Sequence, residues 1–141
     1  MNIKKITWLG LRLVMGLIFL WAFVDKLFGL GFATTLGNAW IKGGSPTSGF
    51  LLNATRGPLA EFFKGLAGVP LVDWLFMLGL LFVGLTVTFN RYLKWGAIAG
   101  SAMLLLMYLA VFPPANNPLI DDHIVYILVL VLLAYKNTDS S

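Results

Sequence analysis

The chain has 141 residues, of which 59% are hydrophobic and 11% charged, with a mean hydropathy of +0.86 and a formal net charge of +4. A soluble domain carries about 25% charged residues, so this surplus of apolar side chains has no place except lipid. With no cysteine and one histidine, disulfides, thiolate metal sites, iron–sulfur ligation and a bis-histidine haem are excluded, and the scattered cations form no nucleic-acid-binding stripe.

Four continuous apolar runs follow in chain order, over residues 6–24, 71–89, 95–112 and 118–135. Each has about the 20 residues a helix needs to cross ~30 Å of hydrocarbon. None alternates over ten-residue stretches as barrel strands do. The expected architecture is an all-α, integral membrane four-helix bundle, one domain over 1–141. Lys4 and Lys5 before the first run resemble a signal peptide, but Arg12 interrupts it and Trp21-Ala-Phe-Val-Asp-Lys26 offers no small-residue cleavage site.

Between the first two runs lies a loop of about 45 residues. Gly43-Gly-Ser-Pro-Thr-Ser-Gly49 is turn-rich. After Pro58, Leu59, Phe62, Phe63 and Leu66 recur at helical spacing opposite Glu61 and Lys64, which predicts a short amphipathic helix lying on the membrane or on the bundle. The short loop holding Arg91 and Lys94 is basic, whereas the Pro113–Asn117 turn has no cation. The positive-inside rule then puts both termini in the cytoplasm and the long loop outside.

The polar residues at span ends are the candidates for function. Asp121, Asp122, His123 and Tyr126 sit at the mouth of the fourth run. With Asn117 as cap and Pro118 as first helical residue, the two carboxylates would complement the helix dipole. Alternatively, Asp122, His123 and Tyr126 join Asp121 in a network that moves protons at the membrane edge. Adjacent Asp-Asp-His side chains diverge by about 100° each on a helix, a poor metal site. Asp25 and Lys26 end the first run and Asp73 opens the second, at similar depth; with Arg56, Lys42 or Lys64 they could form a mixed-charge pocket for a small anion. Arg12 either snorkels to headgroups or, facing inward, anchors an anionic group, a quinone oxygen or a partner helix. Gly96 and Gly100 present a small-residue face for packing within the bundle or between protomers of a homo-oligomer.

Taken together, Arg12-x3-Gly16-x2-Phe19 through Asp25-Lys26, Gly44-Ser-Pro-Thr-x-Gly-Phe50, Gly57-Pro58, Asp73-Trp74 and Pro113-Pro-x2-Asn-Pro-x2-Asp-x-His-x2-Tyr126 resemble the DoxX family of small membrane proteins. The closest likeness is to its DoxD-like branch, the membrane subunit of thiosulfate:quinone oxidoreductases. The resemblance implies a bundle in a prokaryotic cytoplasmic membrane. It also implies quinone as co-substrate and a second redox subunit; with no cysteine or haem ligands in the chain, sulfur and quinone would react directly or through that partner. Asp122, His123 and Tyr126 would then deliver protons, and Asp25, Lys26, Arg56, Asp73 and Asp121 would bind substrate. The alternative is a non-catalytic scaffold or small-molecule-binding module that docks a redox partner.

Overall fold

Asn2 opens the first helix by accepting the Lys5 backbone N–H on its side chain at 3.1 Å. From there the computed structural model describes residues 2–115 and 117–139, the last three as backbone only. Among these residues six α-helices follow in order: α1 Ile3–Phe28, α2 Ser48–Asn53, α3 Ala60–Lys64, α4 Pro70–Phe89, α5 Leu93–Val111 and α6 Asp122–Asp139. Among the described residues there is no strand. Two 3-10 turns, Leu36–Asn38 and Trp40–Lys42, lie between α1 and α2.

Helices α1, α4 and α5 are long and apolar enough to cross a membrane. This is a helical membrane protein, and its outward apolar side chains, such as Val14, Leu17, Leu78 and Ile98, face lipid. Helix α6 is nearly as long, but Asp122 and Lys136 place charge near both its ends.

The long helices pack in chain order, α1 on α4, α4 on α5 and α5 on α6, with α6 also touching α1. Glycines set the register. A methyl group on Gly16 would come within 2.9 Å of the Thr88 backbone nitrogen, and one on Gly84 within 2.5 Å of Leu20. The pairings 16 with 88 and 20 with 84 run antiparallel. Gly96 and Gly100 lie against Thr86, Val83 and Leu130, so the small-residue face is consumed inside the chain. A homo-oligomer through it would require the bundle to open. The core of this packing is Met77, Leu80, Val83 and Val87 of α4 against Phe19, Leu104 and Leu130.

Two expected helix starts are corrected, the first at the fourth run. Asn117 does not cap a helix starting at Pro118. Its Oδ1 accepts the N–H groups of Leu119 and Ile120 at 2.9 and 3.2 Å, a local turn that keeps residues 118–121 out of the helix. Asp121 takes over: its Oδ1 accepts the His123 N–H at 3.0 Å, and its carbonyl accepts the N–H of Ile124. The amphipathic segment also starts later than Pro58 suggests, at Ala60. Its faces are as expected in part, with Phe63 buried and Phe62 exposed.

Antiparallel packing brings the C-terminal ends of α1 and α5 together with the N-terminal ends of α4 and α6. The long loop folds over this end, called here the loop end. The opposite, terminal end holds the start of α1, the α4–α5 turn and the end of α6.

Candidate functional site

Asp25 was expected in a substrate pocket, and the structure gives its carboxylate another task. It is 1% exposed, and it accepts three backbone N–H groups: Phe32 on Oδ1 at 3.3 Å, and Ala33 and Thr34 on Oδ2 at 2.8 and 3.0 Å. Gly29, in the left-handed region at φ 66°, closes α1 by donating its N–H to the Asp25 carbonyl at 2.7 Å. One residue thus ends the helix and folds the chain back over it.

Asp73 has a parallel role on α4. Its Oδ1 accepts the hydroxyls of Ser45 at 2.8 Å and Thr47 at 2.6 Å, and the Ser45 hydroxyl in turn accepts the Ser48 N–H. The turn-rich segment is thereby fastened to the first turns of α4, and Trp40 stacks edge-on against Trp74 beside it. Ser45 and Thr47 are partners that spacing did not single out. Their only sequence signal was membership of the Gly44-Ser-Pro-Thr segment. Replacing Thr47 by valine is expected to weaken the docking by about 1.5–3 kcal/mol, the usual worth of a hydrogen bond to a charged group. Limited proteolysis of residues 43–49 would report it as faster cleavage.

At the mouth of α6 only two of the four candidates meet. His123 Nδ1 lies 2.8 Å from Asp121 Oδ2, both partly buried. Asp122 is exposed, and Tyr126 packs against the apolar core through its ring. Neither makes a hydrogen bond to the pair among the described residues. The Tyr108 hydroxyl donates to the Leu119 carbonyl and ties this turn to α5. Arg56 is exposed and engages α5 through its backbone, donating its N–H to the Ala110 carbonyl at 3.0 Å. Arg12 lies at the opposite end, where its Nη1 donates to the carbonyls of Val87 and Thr88 at 3.3 and 2.7 Å and caps α4.

What remains at the loop end is Lys26 and a cavity of about 350 Å³. From the terminal end, α4 and α5 stay close as far as Gly79, where Met103 fills the space a side chain would occupy. Beyond that crossing the cavity opens, with Phe76, Val72 and Leu75 on one wall and Met103, Leu106, Met107 and Ala110 on the other. Phe50 and Leu51 of α2, Phe63 of α3 and the neighbouring Leu66 form its roof, together with Pro46 and Thr47. Leu51, Phe63 and Ala110 are buried together as a second apolar cluster, so the loop is packed on the helices.

Among the described residues, Lys26 is the only charged one lining this space. Its ammonium lies 5.9 Å from the centre of the Phe76 ring and makes no ion pair among the described residues. Asp25, its sequence neighbour, is turned about 100° away on the helix and is held by the three N–H groups. A cation set against apolar walls calls for an acceptor. Leu75 and Leu106, 62% and 55% exposed, stand at the rim. The cavity therefore opens sideways toward lipid. Comparison with known proteins gives no match to a family model, to a curated protein or to a solved structure.

Proposed function

We propose that this chain is a four-span membrane module that binds a lipophilic small molecule from the bilayer, with its polar head at Lys26. The observation that carries the reading is the cavity itself. Its size suits a ring with part of a tail, its walls are apolar, and its single cation can donate to a carbonyl or carboxylate oxygen. Helix α6 serves as the fourth span: Val125, Leu128, Val131 and Leu132 face outward, and its charges lie at its ends, where they reach the interfaces. The basic α4–α5 turn supports a cytoplasmic location for both termini.

Quinone is the ligand class that fits best, since its carbonyl oxygens accept from an ammonium and its ring packs on Phe and Met side chains. The DoxX-like motifs point the same way. On this reading the chain supplies the lipid-side quinone pocket of an oxidoreductase whose electrons come from a second subunit, thiosulfate being the donor the resemblance implies. Binding is carried further than turnover, because Asp25 and Asp73 are engaged in holding the loop and Asp122 stands apart from the His123–Asp121 pair.

The test is extraction of the protein, purified in mild detergent, with organic solvent, followed by chromatography and mass spectrometry. A quinone or similar lipophile near one per chain is expected. Lys26→Met should lower its retention at least about tenfold, the equivalent of one hydrogen bond to a charged group. A folded wild-type sample without any lipophile, or equal retention by Lys26→Met, would refute the proposal.

A further inference from the structure

The terminal end holds a second, smaller cavity of about 210 Å³ that the proposed function does not use. Trp8, Leu9 and Arg12 of α1, Asn90 from the α4–α5 turn, and Leu133 and Lys136 of α6 line it. Among the described residues no carboxylate lines it, and neither cation forms an ion pair. The Lys136 ammonium sits 4.4 Å from the Trp8 ring centre, which fixes it over the cavity by cation–π attraction. Among the described residues the hydrogen bonds of Arg12 run through Nη1 alone, and a guanidinium has five N–H donors in a planar fork.

The level of this site in the fold matters as much as its charge. Arg12 caps the last turn of α4, so the cavity lies where that membrane helix ends. From this level toward the bilayer centre, α1 exposes Leu13 and Leu17, and α6 exposes Leu132. The site thus has two cations at headgroup depth and exposed apolar side chains on their bilayer side, at acyl-chain depth.

We propose that this cavity binds the phosphate of an anionic phospholipid, with Arg12 and Lys136 as its two cationic contacts and Leu13, one turn inward of Leu9 on the same face, beside the first acyl carbons. Arg12 matches phosphate oxygens in its fork geometry, while Lys136 adds a point charge from α6. The lipid would therefore bridge α1 and α6, the two ends of the packing order, whose direct contact is slight. This inference is independent of the loop-end cavity.

The full-length protein in nanodiscs of equal phosphatidylcholine and phosphatidylglycerol, released into a native mass spectrometer, tests it. Preferential retention of phosphatidylglycerol is expected. Lys136→Gln should reduce that preference about fivefold, since a cation near an anionic surface contributes about a factor of five. Lys4→Gln removes an exposed charge at the same end outside the cavity and should leave the preference unchanged. Arg12→Gln also uncaps α4, so the comparison rests on the two lysines. Equal retention of the two lipids, or equal loss in the two lysine variants, would overturn the proposal, the latter by assigning the effect to diffuse surface charge. Displacement of the lipid by millimolar inorganic phosphate would also overturn it, by showing a site for free phosphate.

Discussion

Asp25→Ala is expected to cost about 3–5 kcal/mol of stability, because it strips the acceptor from three backbone N–H groups at once. Phe32 and Ala33 are exposed and can recover water, whereas Thr34 is buried, 8% exposed, and its N–H would be left without a partner. Asp25→Asn should fall between alanine and wild type. One amide oxygen can serve the place of Oδ2 and keep two of the three bonds, but the NH2 group then faces the Phe32 N–H donor to donor. Thermal unfolding in detergent should give the order wild type, Asn, Ala, with cleavage of residues 29–47 by protease accelerating in the same order. The alternative outcome is informative too. A variant as stable as wild type that fails to bind or turn over substrate would return Asp25 to the substrate-binding role that the sequence suggested for it.

The membrane helices were legible because their signal is cumulative: each run has enough consecutive apolar residues that no single side chain decides the matter. Their ends depend on one or two hydrogen bonds and were less legible. Helix α1 extends to Phe28, four residues past the expected end, because the Asp25 side chain is satisfied by its own turn and its carbonyl by Gly29. Helix α6 starts four residues late because Asn117 is spent on Leu119 and Ile120. The polar candidates were found, but their partners were not. Asp25 is held by backbone donors, which every residue has, and Asp73 by two hydroxyls 26 and 28 residues away. The cavity left no trace in any local pattern. It exists because a methionine fills the last glycine notch between α4 and α5 and three loop segments converge above it.

That roof is anchored at Gly57, and Gly57→Val is expected to empty the cavity while leaving the long helices folded. Gly57 has φ 80°, where a β-branched residue is strained by at least about 1–2 kcal/mol. A side chain there also meets rigid atoms: its Cβ would lie 2.9 Å from the Phe112 carbonyl carbon, and closer still to the carbonyl oxygen. Neither neighbour can move aside as a flexible side chain would, so the loop must lift from the end of α5. Lifting it stretches the Arg56 N–H to Ala110 bond and separates Leu51 and Phe63 from Ala110. These contacts close the cavity from above, whereas the α1–α4 and α4–α5 glycine crossings lie toward the other end and are untouched. Far-ultraviolet circular dichroism should therefore change little, retained lipophile should fall as far as in Lys26→Met, and protease should cut within residues 54–69. Loss of helicity together with ligand would mean that the loop holds the bundle as a whole. Retention of ligand with a lifted loop would place the binding site away from the α2–α3 roof, and only the Lys26 contact would remain to define it.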